Sequence, residues 1–114
     1  MNQPSNECVS EALGGYTRVR LRGEVDLSWS QQVRRAILDA LGTEARVGVE
    51  LSEVSYIDSS GIAALVEGLQ SAKSKGKKFD LVAVSKAVMA VLELARLDRV
   101  FSIFPDLDTA RSAG

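Results

Sequence analysis

The sequence predicts an α/β domain: a mostly parallel, mixed β-sheet of four to five strands with three to four α-helices. Three observations predict it. Short runs with period-two alternation, such as Thr17/Val19/Leu21 and Val47/Val49/Leu51, are separated by runs whose apolar residues recur at helical spacing, such as Val33/Ile37/Ala40 and Ile62/Leu65/Leu69. Glycine and proline punctuate the boundaries at Gly14-Gly15, Gly42, Gly76 and Pro105. Each helical run is long enough for the right-handed crossover that joins parallel neighbours. The chain has 114 residues and no linker or repeat, so 1–114 reads as a single domain with one core.

The elements follow in order. Met1 to Asn6 is polar and is expected to be disordered. Glu7 to Ala12 adds an edge strand, and Gly14-Gly15 turns the chain. Tyr16 to Arg22 alternates, with Thr17, Val19 and Leu21 on one face and Arg18, Arg20 and Arg22 on a solvated one. Gly23 to Leu27 is a short extended stretch. Trp29 is expected to pack over the sheet edge or, if exposed, to anchor an interface. Ser28 or Ser30 suits the cap of a first helix, with Val33, Ala36, Ile37, Ala40 and Leu41 inward and Gly42 just past its end.

Arg46 to Leu51 is a central strand. The second helix then runs to about Ser74 and stops at Gly76. Lys73, Lys75, Lys77 and Lys78 crowd its end, where cations complement the dipole, and read as a solvated helix end. Phe79 to Val84 is a strand interrupted by Asp80. Ser85 caps a third helix that buries Val88, Val91, Leu92 and Ala95. Val100 to Phe104 is the last strand, stopped by Pro105, and Leu107 to Ser112 forms a terminal helical turn.

Composition narrows the function. Fourteen Lys and Arg against fifteen Asp and Glu give a net charge of −1, which offers no electrostatic case for nucleic acid as a partner. No apolar run approaches the ~18 residues of a membrane span, so no direct membrane insertion is expected. The first eleven residues lack a signal-peptide layout, and a cytoplasmic location is expected. A single cysteine, Cys8, excludes an internal disulfide. With no histidine and no second thiol, neither a zinc site nor the commonest general base is available. No metal, cofactor or catalytic residue is assigned, and the chain reads as a non-enzyme.

One junction carries chemistry. Asp58-Ser59-Ser60-Gly61 lies between the central strand and the second helix, beyond the carboxyl end of the strand, where α/β sheets place functional groups. Backbone N–H groups there lack helical partners, and the dipole favours negative charge. A hydroxyl held there caps the helix, binds an anion or accepts a phosphate. Asp58 suits either orientation of a serine hydroxyl or an ordinary Asx turn. Gly61 permits close backbone approach.

The order of elements, Gly23-Glu24-Val25-Asp26 after the first main strand, and Tyr56-Ile57-Asp58-Ser59-Ser60-Gly61 before the second helix together resemble a STAS domain, most of all stand-alone anti-sigma factor antagonists. Ser85, Val88, Leu92 and Leu97 resemble the same family's third-helix region. The resemblance spans about Tyr16 to Phe104. It implies that Ser59 is phosphorylated by a partner of histidine-kinase-like ATPase fold that is also the anti-sigma factor. It implies release on phosphorylation and restoration by a PP2C-type phosphatase. It places Glu24, Asp26, Asp58, Ser60 and Gly61 at the partner surface. A second role within the family is the cytoplasmic STAS subunit of an ABC-type lipid transporter. Members with that role commonly carry threonine and glycine where this chain has Ser59 and Ser60, which weighs against it.

Overall fold

The computed structural model describes residues 6–113. The elements are β1 (Glu7–Ala12), β2 (Thr17–Val25), α1 (Ser30–Thr43), β3 (Arg46–Ile57), α2 (Ser59–Ser74), β4 (Lys78–Val82), α3 (Lys86–Leu94), β5 (Ser102–Phe104) and α4 (Leu107–Ser112). They build one five-stranded sheet in the order β1-β2-β3-β4-β5, antiparallel between β1 and β2 and parallel thereafter. This is the expected mixed α/β sheet. Most of the stretch expected to be disordered lies outside the described residues. Asn6 is an exception: its side-chain oxygen accepts from the Glu24 N–H at 3.0 Å.

Alternation sets the two faces. Val19, Leu21, Val47, Val49 and Leu81 are fully buried. They point toward α1 and α2, whose Ile37, Leu41 and Leu65 are also fully buried. Each such side chain contributes about 1.5–3 kcal/mol on leaving water. Trp29 is buried in this core. α2 comes unusually near the sheet at Gly68, where an added Cβ would lie 2.7 Å from Ile37 Cγ2 and 2.9 Å from Phe79 Cε1.

The opposite face has two parts. Toward β1, Arg18 pairs with Glu11 and Glu50, and Arg22 with Glu7 and Glu53, in a charged ladder whose Arg22 end is open to water while Arg18 and Glu50 are partly buried. Toward β5, Tyr16, Val82 and Ala110 form a small second core under α4. Asp80 interrupts the apolar run of β4 because it is paired there. Its Oδ2 accepts from Tyr16 Oη at 3.1 Å and from Arg46 Nε at 2.9 Å. Burial, reinforced by the negative charge of Asp80, pushes the Tyr16 phenol well above its ordinary value.

The structure corrects several boundaries. β3 runs to Ile57 instead of ending at Leu51, because it carries two one-residue bulges. Arg20 pairs with Glu50 while Arg22 pairs with Glu53, and Gly23 pairs with Val54 while Glu24 pairs with Tyr56. Each bulge leaves two successive residues exposed and so erases the alternation. Neither Ser28 nor Ser30 caps α1. The N-cap is Trp29, without a side-chain bond, and the Asp26 carbonyl accepts from the N–H groups of Trp29 and Ser30. Gly42 lies inside α1, which ends at Thr43. Ala95 is the exposed C-cap of α3 and lies outside its buried side. Asp58 and Ser85 cap α2 and α3 with their side chains.

Candidate functional site

β2 and β3 lie side by side and end together. Val25 pairs with Ile57, and the Asp58 N–H donates to the Val25 carbonyl at 3.2 Å. The two following loops therefore emerge next to each other, and both are built the same way. In each, an aspartate holds the serine two residues on. Asp26 Oδ1 accepts from the Ser28 N–H at 3.0 Å and its hydroxyl at 2.6 Å. Asp58 Oδ1 accepts from the Ser60 N–H at 2.9 Å, its hydroxyl at 2.6 Å and the Gly61 N–H at 3.1 Å. The residue between each pair is left projecting: Leu27, 73% exposed, in the first loop and Ser59, also exposed, in the second.

Ser59 occupies the first helical position of α2. Among the described residues, no hydrogen bond holds its hydroxyl. Ser60 is half-buried, and its hydroxyl is committed to Asp58. The Ser60 hydroxyl is the main cause that holds the Asp58 carboxyl below the usual carboxylate range. The N–H groups of Gly61, Ser60 and Leu27 add to it against a desolvation cost. Asp58 thus stays ionised and occupies the first-turn donors of α2. A phosphate at this helix end would find the Ser60 and Gly61 N–H groups already taken.

Gly61 is buried beneath the loop. A Cβ there would lie 2.6 Å from Ile57 Cγ1 and 2.8 Å from the Val25 carbonyl oxygen. Its part is to seat α2 against the strand ends, beneath the partner surface that the resemblance assigned to it. Glu24 is exposed and stands opposite Tyr56 in the β2–β3 register, and Asp26 is partly buried by its own turn. The structure thus brings Glu24, Asp26, Asp58, Ser59 and Ser60 to one end of the sheet.

Two members of this surface were not singled out in the sequence: Leu27, and Tyr56 at 49% exposure, both offering apolar contact area. The signal for Leu27 was the repeated Asp-x-Ser at the end of two adjacent strands. Beside them a shallow groove between α1 and α2 runs past Gln31, Ser60 and Ala63. A two-pronged ion pair closes it, with Arg34 Nε 2.7 Å from Glu67 Oε1 and Arg34 Nη2 2.6 Å from Glu67 Oε2. Among the described residues no group of His, Cys, Asp and Glu is arranged to hold a metal ion. No helix there is long and apolar enough to cross a membrane.

Comparison with known proteins gives a consistent set. A family profile described as "Mlab, STAS domain" matches residues 9–105. A curated Thermotoga maritima protein, named as a candidate anti-sigma factor antagonist, is 35% identical over 65 residues, 57% of this chain and 58% of that protein. The match therefore spans little more than half of that relative's length. The crystal structure of an anti-sigma factor antagonist from Mycobacterium paratuberculosis is similar with a TM-score of 0.86 at 26% identity, covering 96% of this chain and 93% of the other. The Bacillus cell fate determinant SpoIIAA, in its phosphorylated form, shares the fold with a TM-score of 0.75 at 19% identity, covering 94% and 98%.

Proposed function

The chain belongs to the STAS domain family, and we propose that it works as an anti-sigma factor antagonist whose binding is switched off by phosphorylation of Ser59. Unphosphorylated, it binds an anti-sigma factor that is also a serine kinase of histidine-kinase-like ATPase fold. A PP2C-type phosphatase resets it. The chain is a substrate and a binding partner in this cycle, not an enzyme, and the cycle runs in the cytoplasm. The observation that carries the reading is the projecting Ser59, whose hydroxyl is unheld while Asp58 retains Ser60.

The transfer forms a bond from Ser59 Oγ to the γ-phosphorus of ATP and breaks the bond to the β-γ bridging oxygen. ADP leaves, and the hydroxyl proton passes to a base on the kinase. The product adds roughly −1.5 to −2 charges at pH 7. It gains no free pair of helix donors, since Asp58 has them, and it stands beside that ionised carboxylate. A partner seated on Leu27 and Tyr56 would have to desolvate this group without a matching cation, which costs several kcal/mol. Release then follows from surface chemistry without refolding.

The test is phosphopeptide mapping of the protein from its native cells, together with affinity capture. Phosphate on Ser59, and co-purification of an ATPase-fold kinase with the Ser59→Ala variant but not with Ser59→Asp, is the expected result. Unmodified Ser59 with transporter ATPase subunits in the capture would overturn it in favour of the lipid-transporter role.

A further inference from the structure

β1 is an edge of the sheet, and among the described residues no strand pairs with its outer side. The Leu13 N–H donates to the Tyr16 carbonyl at 2.7 Å. Counted back through the unbroken β1–β2 register, Glu11, Val9 and Glu7 are the residues that exchange main-chain bonds with β2. The N–H and C=O groups of Cys8, Ser10 and Ala12 therefore point away from the sheet. Natural edges are commonly blocked by a bulge or by charge. β1 has no bulge, and Glu7 and Glu11 stand on the face away from α1, paired with Arg22 and Arg18. On the face that carries α1, an open groove of about 510 Å³ runs between β1 and α1. Its walls are short side chains: Ser10 and Ala12 from the strand, and Ala36, Ala40 and Thr43 from the helix.

We propose that the β1 edge and this groove bind an extended segment of a partner protein, which adds to the sheet as a sixth strand. Its main chain pairs with Ser10 and its neighbours, its aliphatic side chains enter the groove at alternate positions, and one lysine or arginine reaches Asp39. The open donors and acceptors of the edge call for an extended backbone, and the short walls leave room for that backbone's side chains. Charge sets the rest. Asp39 is the one charged residue lining the groove, is exposed and has no ion pair among the described residues. Arg35, one turn earlier on α1, makes no ion pair with it and does not line the groove. Glu44, just past the end of α1, has the same sign as Asp39 and accepts from the Thr17 hydroxyl at 3.4 Å. The position thus favours a cation from the partner. A second copy of β1 fits less well: it would offer only Cys8, Ser10 and Ala12 to the groove, with no cation among them.

The site does not include Ser59, and its test stands whether or not Ser59 is phosphorylated. The probe is a panel of capped eight-residue peptides titrated into the isotopically labelled full chain. They carry alanine, valine or isoleucine at alternate positions, threonine between, and one lysine stepped along the sequence. Saturable amide shifts at Ser10, Ala12 and Ala36 are expected. Hydrogen exchange should slow at the Ser10 and Ala12 N–H groups and stay unchanged at Val9, which is already bonded to β2. Ser10→Pro removes an outward N–H that the β1–β2 ladder does not use, so it should keep the fold and bind about tenfold more weakly. Asp39→Lys, at an exposed position, should weaken the lysine peptides about fivefold and spare the same peptides with glutamine in place of lysine. No saturable shift from any peptide, unchanged affinity in either folded variant, or equal binding of peptides N-methylated at every second residue would overturn the proposal. A concentration-dependent dimer that Ser10→Pro abolishes would also overturn it and assign the edge to a second copy.

Discussion

Adjacent hydroxyls at Ser59 and Ser60 are in opposite states, one projecting and one bonded to Asp58 at 2.6 Å. Ser60→Ala should therefore lower the melting temperature while leaving Ser59 modifiable, and Ser59→Ala should leave the melting temperature nearly unchanged while removing the acceptor; thermal scans and intact mass separate the two. Asp58 has a folded pKa below its unfolded value, near 3.8. Its ionised form stabilises the fold fully above that value, and the contribution is lost as pH falls through the folded one. The melting-temperature gap between wild type and Asp58→Asn should thus be widest near neutrality and close in acid. Gly61→Ala forces a Cβ against the Val25 carbonyl and should cost about 1–3 kcal/mol in urea unfolding.

Among the elements, α2 shows most directly how packing overrides local preference. Alanine at position 68 would favour the isolated helix by about 1 kcal/mol. In the fold its Cβ would press on Ile37 and Phe79, so Gly68→Ala should be net destabilising, by up to about 2 kcal/mol after that gain. A stabilised variant in chemical denaturation would contradict this packing. Periodicity marked α2 and α3 well because Ile62, Leu65, Leu69, Val88 and Leu92 keep a regular spacing. It failed in β3, where two bulges shift the phase, and at the start of α1, where a backbone carbonyl replaces the expected serine cap. Asp58-Ser59-Ser60 was legible as a candidate site because aspartate and serine are cap residues. Leu27 was not, because its prominence depends on β2 and β3 ending side by side.

At the scale of the whole molecule, the two faces of the sheet are secured differently. One rests on apolar packing, and the α4 side rests on Tyr16, Asp80 and Arg46. Removing one partner of that buried pair leaves an unmatched charge, so Arg46→Met should lose about 3–5 kcal/mol, or fail to fold, in equilibrium denaturation. The sheet order β1-β2-β3-β4-β5 has a further consequence. Every strand pairs with the one made just before it, so a nascent chain leaving the ribosome never has to insert a late strand between two early ones. The sheet can grow at one margin in the order of synthesis, and pairing waits for β5 only at its final edge.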